Sequence, residues 1–524
     1  MDISLFLTLI PAVILFVYGI ENFSKEIQFA AGTHFSKVIK WATKNNWRST
    51  IFGSIVTALI QSSAATTIIA MGLVNSGTIT FAQSIGIIFG ANIGTTITSQ
   101  LVALNLTTYA PILIVFGFIL SLLKTKYKVF GKPLFYFGMV FFALNLVSLS
   151  VSPLQSDPQI MGLFALASIL PIGILAGFII TNIFQSSSVT TGLVVVFAQS
   201  GLIGLNEAIP IILGANIGTT VLTLLISSRM DVFAKRAALA HFLFNIIGVA
   251  MFIPLISLLI IAVQIIGGGT AQQVANAHLI FNVVATVVLL IFINSFRNLI
   301  EKIIPTQDKE IILSAKALEG IEKKTIHEIF SSITEEFKNN MDSVISIFDE
   351  NKKLLYSSNG DTKRIEKLNT FVEYIHSESK RVIIKIAKRK LLRKDSQKII
   401  SLSRSLRISE ELAKMGQKIG EAIIYAKENQ NDFASESTHR LDECFSILIS
   451  NLVIIKSSYP VFDSKTIVAL KVNEQSLRTK LAQSYEEYFS RLSKGKANSG
   501  SIFAEVLDRI QDTNTKLSDI RRIN

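Results

Sequence analysis

The chain has 524 residues, half of them hydrophobic, with a mean hydropathy of +0.48 and a formal charge of +13. That is too apolar for a water-soluble protein of this size and fits a chain partly solvated by lipid. The single cysteine, Cys444, excludes an intrachain disulfide and argues against a cysteine metal site, and the basic residues form no continuous, aromatic-interleaved run that would read nucleic acid.

The charge is unevenly divided. Residues 1–304 carry 14 Lys/Arg and 7 Asp/Glu, leaving 37 and 31 for the remainder. Two solvents, and so two domains, follow: a transmembrane domain over 1–304 and a soluble one over 305–524. The run Leu5 to Ile20 lacks a basic leader and a small-residue cleavage site and holds Pro11, so it is read as a first transmembrane helix. Trp41 and Trp47, among Lys37, Lys40, Lys44 and Arg48, read as an interfacial helix.

From Ser49 to Leu123, and again from Pro133 to Ser156, there is no Asp, Glu, Lys, Arg or His. A charge at mid-bilayer costs on the order of 3 kcal/mol, which is why a membrane selects such stretches. About 20 apolar residues span the hydrocarbon, so the first 300 residues hold roughly eight or nine crossings or part-crossings. Lys124, Lys126, Lys128 and Lys132 crowd one short loop, and Arg297, Lys302 and Lys309 follow the last apolar segment, while the loop at Asp157 has no basic residue. The positive-inside bias puts the first two in the cytoplasm, with the C-terminal domain, and the Asp157 loop outside.

The sequence repeats itself. Thr57-Ala-Leu-Ile-Gln61-Ser62-Ser63-Ala64-Ala-Thr66-Thr67 recurs 124 residues later as Thr181-Asn-Ile-Phe-Gln185-Ser186-Ser187-Ser188-Val-Thr190-Thr191. At the same offset Gly90-Ala-Asn92-Ile-Gly94-Thr95-Thr96 recurs unchanged from Gly214 to Thr220, and Gly53 and Gly77 map to Gly177 and Gly201. Two motifs at one preserved spacing indicate a duplication, with repeat 1 over about 1–130 and repeat 2 over about 131–304. Transporters place substrate at the interface of such repeats, and inverted topology is expected here.

Each Gln-Ser-Ser motif breaks an apolar stretch with donors and acceptors but no charge. Irregular backbone at membrane depth survives only where it lines a cavity or is buried in protein. Freed amides at half-helix N-termini suit an anion, and freed carbonyls with hydroxyls suit a hard cation. The alternative is that Ser, Thr and Gly only let helices approach closely. For the second motif both readings stand: its glycines permit packing, and Asn92, Thr95, Asn216 and Thr219 are placed to coordinate an ion. Two further related segments, Ala240-His241-Phe-Leu-Phe244-Asn245 and Ala277-His278-Leu-Ile-Phe281-Asn282, invite a proton relay but read more simply as neutral imidazoles fixing scaffold helices. Arg229, Asp231, Lys235 and Arg236 are expected in a surface loop.

At these residues, from Gly19 through Thr43 and Asn45 to about Phe292, the chain resembles the type II sodium/phosphate cotransporter family, whose signature is a paired Gln-Ser-Ser motif. The resemblance implies sodium-driven phosphate uptake by alternating access, with no cofactor beyond sodium as coupling ion. Carried over by position, the phosphate ligands are Gln61, Ser62, Ser63, Gln185, Ser186 and Ser187. Thr66, Thr67, Ser188, Thr190 and Thr191 are sodium neighbours. Ala64 stands where the second motif has Ser188, so the halves need not contribute equally. The cysteine-bearing extracellular loop of animal members is absent and a long C-terminal domain is present, as in a bacterial form in the cell inner membrane.

Beyond Pro305, Ile326, Ile329, Ile333, Phe337, Met341, Val344 and Phe348 keep helical spacing along one face. Breaks near Asn359-Gly360, Arg393-Lys394, Asn431-Asp432, Tyr459-Pro460 and Gly495 to Gly500 divide the domain into about six helices, resembling PhoU-like regulators of phosphate uptake. Glu335, Glu336, Glu410 and Glu411 are mixed with lysines and read as solvated faces rather than metal ligands. The fold expected is therefore all-α: a polytopic membrane protein with two repeats and broken, re-entrant helices, plus a soluble helical bundle. Partners are phosphate, sodium and the bilayer, with a homo-oligomer and a regulatory partner of the C-terminal domain left open. An exporter, a carrier of another oxyanion and a phosphate sensor are the alternatives. An intramembrane serine hydrolase built on Ser63 or Ser187 with His241 or His278 is disfavoured, because a triad needs one nucleophile and the serines are duplicated.

Overall fold

The computed structural model describes residues 3–31, 42–104, 106–124, 126–306, 310–321, 324–357, 362–388, 392–429, 433–493 and 500–523. Lys37, Lys40, Trp41 and Lys309 lie outside them, as do the breaks at Asn359-Gly360 and Asn431-Asp432 and all but the last residue of the break from Gly495 to Gly500. The described residues are helical throughout, without strands, and divide into two compact units, Met1–Glu310 and Ile311–Asn524.

The first unit begins with α1 (Ile3–Ala31), and then a hairpin of two short arms, α2 (Asn46–Ile60) and α3 (Ser63–Asn75). Three helices follow: α4 (Phe81–Ala103), α5 (Ala110–Leu122) and α6 (Gly131–Val151). After the short α7 (Pro158–Ala165), a second hairpin is formed by α8 (Leu170–Phe184) and α9 (Ser187–Gln199). The unit closes with α10 (Leu205–Gly218), α11 (Thr220–Ser227), α12 (Val232–Phe252), α13 (Ile256–Ile266), α14 (Thr270–Ile291) and α15 (Ile293–Ile303). Among the described residues six helical stretches are long and apolar enough to cross a membrane. A seventh is added if Pro158–Ser168 and Leu170–Phe184, bent by 100°, count as one broken span.

Polar contacts sort the helix ends into two groups. At one end Glu26 pairs with Lys132 at 3.2 Å, the Asp231 amide donates to Asn75 Oδ1, Arg236 Nε donates to the Ile304 carbonyl, and the Phe81 amide donates to Glu310 Oε1. At the other end Ser148 meets Ser200, Gln155 donates to the Ser200 carbonyl, and Gln100 pairs with Gln272 and Asn276. The first hairpin therefore has its feet at one end and the second at the opposite end. Three helices, α4 to α6, separate them, and an odd number reverses direction. The repeats are inverted, with the two hairpins pointing toward each other.

Lys25, Lys44, Arg48, Lys124, Lys128, Lys132, Arg229, Lys235, Arg236, Arg297 and Lys302 all sit on segments that end with the first group, so that end is called the basic end. Asp157 and Glu207 lie at the far end. Trp47 is exposed in the first turn of α2, which Asn45 caps by accepting from the Trp47 amide at 2.7 Å. Two surface expectations are corrected in part: Arg236 is buried against α15, and Asp231 caps α12 by accepting from the Ala234 amide.

Glycine governs how the hairpins attach. A Cβ on Gly90 of α4 would stand 1.9 Å from the Thr50 carbonyl of α2, and one on Gly214 of α10 would stand 1.9 Å from the Ile174 carbonyl of α8. Both pairs of helices are in backbone contact that only a missing side chain allows. The same motif copy makes the same contact in each repeat.

The second unit contains α16 (Ile326–Leu354), α17 (Lys363–Ala387), α18 (Arg393–Glu428), α19 (Ser435–Ser458), α20 (Ser464–Ser493) and α21 (Gly500–Ile523). Ile329, Ile333, Phe337, Met341, Val344 and Phe348 are fully buried, so the apolar stripe of α16 is its core face. Thr325 and Glu328 form a capping box at its start. Glu336 departs from the expectation of a solvated face: it is buried and accepts from the Ala317 amide at 2.8 Å. Among the described residues no group of three or more His, Cys, Asp or Glu is placed to hold a metal ion.

Candidate functional site

The two Gln-Ser-Ser motifs are the tips of the two hairpins, and each is built the same way. Gln61 ends α2 with φ 60° and ψ 25°, and Gln185 ends α8 with φ 51° and ψ 26°. They are the only non-glycine residues with positive φ among the described residues. The left-handed region costs an L residue of order 1–3 kcal/mol, so a pair of such residues at equivalent positions marks a conformation kept for a purpose. The next residues, Ser62 and Ser186, are extended (φ −148° and −149°) and cap the second arms, accepting from the Ala65 amide at 3.2 Å and the Val189 amide at 3.3 Å. The chain thus reverses at mid-bundle and starts a new helix whose first amides point into the protein, where anions are favoured.

A threonine staple joins the arms of each hairpin. Thr57 Oγ1 donates to Thr66 Oγ1 at 2.8 Å, and Thr181 Oγ1 donates to Thr190 Oγ1, also at 2.8 Å. Thr191 turns its hydroxyl back to the Ser187 carbonyl at 2.8 Å, whereas the buried Thr67 hydroxyl has no partner among the described residues.

The tips meet through one further residue. Thr98 of α4 donates to Gln61 Oε1 at 2.6 Å and lies 3.4 Å from Ser188 Oγ, which in turn is 3.4 Å from the Gln61 carbonyl oxygen. Four oxygens from both repeats converge there: Gln61 O, Gln61 Oε1, Thr98 Oγ1 and Ser188 Oγ. The counterpart of Thr98 in the second repeat is Leu222 and that of Ser188 is Ala64, so Gln185 has no such partners. Gln61 is buried and Gln185 is exposed. Thr98 was not visible to a search for repeated residues because it is not repeated.

Asn92 and Thr95 lie on α4, Asn216 on α10 and Thr219 at the C-terminal cap of α10, behind the hairpins. Thr95 and Thr219 donate to carbonyls one turn back, at 3.0 Å each, and Asn92 Nδ2 donates to the Ile88 carbonyl. Asn92 Oδ1 also receives a long bond from Asn245 at 3.4 Å, and Asn216 Oδ1 faces His278 Nε2 at 3.2 Å. His278 Nδ1 meets Ser99 of the first repeat at 3.1 Å, and His241 Nδ1 meets Thr223 of the second at 3.3 Å. His278 therefore has a polar group on each ring nitrogen, Asn216 on one side and, on the other, Ser99, whose own hydroxyl donates to the Thr96 carbonyl at 2.8 Å. It thereby ties α4 to α10 through α14, the interhelical scaffold role read from the sequence.

The model of the Na+/Pi-cotransporter family matches residues 15–149 and 161–292. The chain belongs to the Na+/Pi-cotransporter family. It is thus a multi-pass membrane transporter of a phosphate-transporting family and not an enzyme. It is 28% identical over 300 residues, 56% of this chain and 97% of the relative, to the uncharacterized protein YqeW of Bacillus subtilis (strain 168). It is 24% identical over 463 residues, 86% of this chain and 84% of the relative, to the "Putative inorganic phosphate export protein YjbB" of Escherichia coli (strain K12). Over 107 residues, 19% of this chain and 18% of the relative, it is 39% identical to the sodium-dependent phosphate transport protein 2C of Mus musculus. No solved structure matches. The family match lies wholly in the first unit, while 463 aligned residues necessarily carry the Escherichia coli relationship past residue 310.

Proposed function

We propose that the protein moves inorganic phosphate together with sodium ions by alternating access, the anion held between Gln61-Ser62-Ser63 and Gln185-Ser186-Ser187. The observation that carries this reading is the matched pair of breaks, each a left-handed glutamine followed by a capping serine, on inverted hairpins whose tips face one another. The amides that open α3 and α9 supply donors for an oxyanion. No lysine or arginine belongs to either tip, so a dianion gains its countercharge from the cations that accompany it. Each charge moved across 100 mV involves roughly 2.3 kcal/mol, so two sodium ions neutralise the dianion and a third draws on the voltage.

For the first of those ions the cluster of Gln61, Thr98 and Ser188 oxygens is the best-supported place. Two of its contacts are 3.4 Å, longer than a hydroxyl hydrogen bond of about 2.7–2.8 Å, a spacing that suits oxygens arranged around a shared hard cation. Thr66, Thr67, Thr190 and Thr191 flank it, with Asn92, Thr95, Asn216 and Thr219 behind. The basic end is assigned to the cytoplasm of a cell inner membrane, which places the connector to the second unit there. The second unit is read as a PhoU-like regulatory bundle on that side.

Export is the second reading, favoured by the Escherichia coli relative whose similarity extends beyond the transport unit. Both are tested in proteoliposomes by following radiolabelled phosphate under inward and outward sodium gradients, against equal potassium, with Gln61→Ala and Gln185→Ala alongside. Sodium-driven flux lost in both variants supports the paired site, and the gradient that drives it gives the direction. Flux indifferent to sodium sinks the coupling, and flux undiminished in both variants sinks the site.

A further inference from the structure

We infer that Ser24 and Ser148 are a pair of exchangeable latches, whose partners swap when the two hairpins trade positions. The 124-residue offset that relates the hairpins also carries the apolar stretch Leu7–Ile27 of α1 onto α6, Gly131–Val151. Along those 21 positions Ser24 and Ser148 are the one identical pair. Equivalent residues on equivalent helices nevertheless hold different parts of equivalent hairpins. Ser24 Oγ donates to the Ile60 carbonyl, at the tip of the first hairpin, at 2.5 Å. Ser148 Oγ lies 3.1 Å from Ser200 Oγ, at the foot of the second.

In repeat coordinates Ile60 corresponds to Phe184 and Ser200 to Ser76, so each serine has the partner that its counterpart lacks. Tip and foot are separated by a 13-residue arm, about 20 Å of helix at 1.5 Å per residue. The same element is thus docked at two levels in the two halves of one chain. The tips differ in the same sense: Gln61 is buried under Thr98 and Ser188, whereas Gln185 is exposed and its side chain makes no hydrogen bond among the described residues. An inverted pair that holds its repeats in two conformations reaches its opposite-facing state by exchanging them. In that state Ser148 Oγ donates to the Phe184 carbonyl, Ser24 lies against Ser76, Gln185 is covered and Gln61 is uncovered. This inference rests on the alternating-access reading, and names the contacts that alternate.

Paired cysteines test it in the full-length chain carrying Cys444→Ala, reconstituted in liposomes, with Ser148→Cys/Ser200→Cys reporting one state and Ser24→Cys/Ser76→Cys the other. An oxidant should link the first pair readily, and the yield of the second should rise several-fold, as the first falls, when sodium and phosphate are moved from one side of the membrane to the other. A linked pair should stop phosphate flux until a reductant is added. The latch is overturned if Ser24→Cys/Ser76→Cys stays unlinked under all these conditions while the first pair links, which also shows that the protein is folded. It is equally overturned if both pairs link in the same molecule. Cross-links that exchange without phosphate flux would keep the latch and sink the transport reading. Sodium-driven flux without exchange would do the reverse.

Discussion

The two hairpins share a motif, a staple, a cap and a backbone conformation, yet one tip is enclosed and the other is open. Gln61 is closed over by Thr98 and Ser188, while Gln185, with Leu222 and Ala64 in place of those hydroxyls, faces outward. What is common to both halves is the machinery that makes a break in a helix stable. What differs is the pair of groups that reach the break, one from its own repeat, as Thr98 does, and one from the opposite repeat, as Ser188 does. Duplication supplied the first, and later divergence at single positions such as 64, 98, 188 and 222 supplied the second. A symmetric scaffold can therefore carry an asymmetric site.

The largest effect should come from the shared part and should be equal in both halves. Gly90→Ala and Gly214→Ala each force a methyl to 1.9 Å from a facing carbonyl, where backbone rather than a flexible side chain would have to move. Overpacking of this kind costs about 3 kcal/mol or more, and both variants should be recovered only as aggregated or sharply destabilised protein in detergent. A normal melting temperature for either would mean that the helices are not in backbone contact. The next effect should split the halves. Gln61→Ala leaves the Thr98 hydroxyl without its acceptor, at about 1–3 kcal/mol, so it should lower both transport and thermal stability. Gln185→Ala removes an exposed side chain and should change stability by no more than about 0.5 kcal/mol, while still abolishing transport. Equal losses of stability in a side-by-side melt would remove the asymmetry.

A smaller effect separates the oxygens of the shared cluster. Ser188→Ala deletes one of four, and should raise the sodium concentration for half-maximal flux several-fold, about 1 kcal/mol or less, with the phosphate dependence little changed at saturating sodium. The reciprocal Ala64→Ser adds a hydroxyl where the first repeat has none and should leave sodium dependence as it was, since Leu222 offers it no partner. A shift in phosphate affinity alone for Ser188→Ala would move this residue from the cation to the anion.

Much of this architecture was legible in the sequence because it depends on local chemistry repeated twice. The charge-free stretches marked the membrane unit, and a Gln-Ser-Ser triplet flanked by threonines marked the breaks. The stripe from Ile329 to Phe348 marked the core face of α16. The inversion needed the structure, because it depends on which helix ends meet, through pairs such as Glu26 with Lys132 and Asp231 with Asn75. Thr98 escaped because a lone threonine in an apolar helix carries no signal until the partner 37 residues away is known to face it. Burial misled at Arg236 and Glu336, where a charged side chain is held inside by backbone groups distant in sequence, the Ile304 carbonyl and the Ala317 amide. The second motif was ambiguous for a physical reason: its glycines do pack α4 on α2 and α10 on α8, and packing does not bear on whether its asparagines also meet an ion.

The smallest effect tests whether the shared machinery is as equal as its geometry. Thr57→Val and Thr181→Val each remove the donor of one staple, and the bond lost is 2.8 Å long in both hairpins. Valine keeps the shape of threonine, so the cost is that of one hydrogen bond, about 0.5–1.5 kcal/mol, and the two variants should melt within about a degree or two of each other. Thr66 retains its bond to the Ser62 carbonyl at 3.1 Å and Thr190 its bond to the Ser186 carbonyl at 3.3 Å, so neither hydroxyl is orphaned in the variant. If Thr181→Val were clearly milder, the staple of the open hairpin would be made only part of the time, and the difference between the halves would reach down into the hairpin itself rather than stopping at its tip.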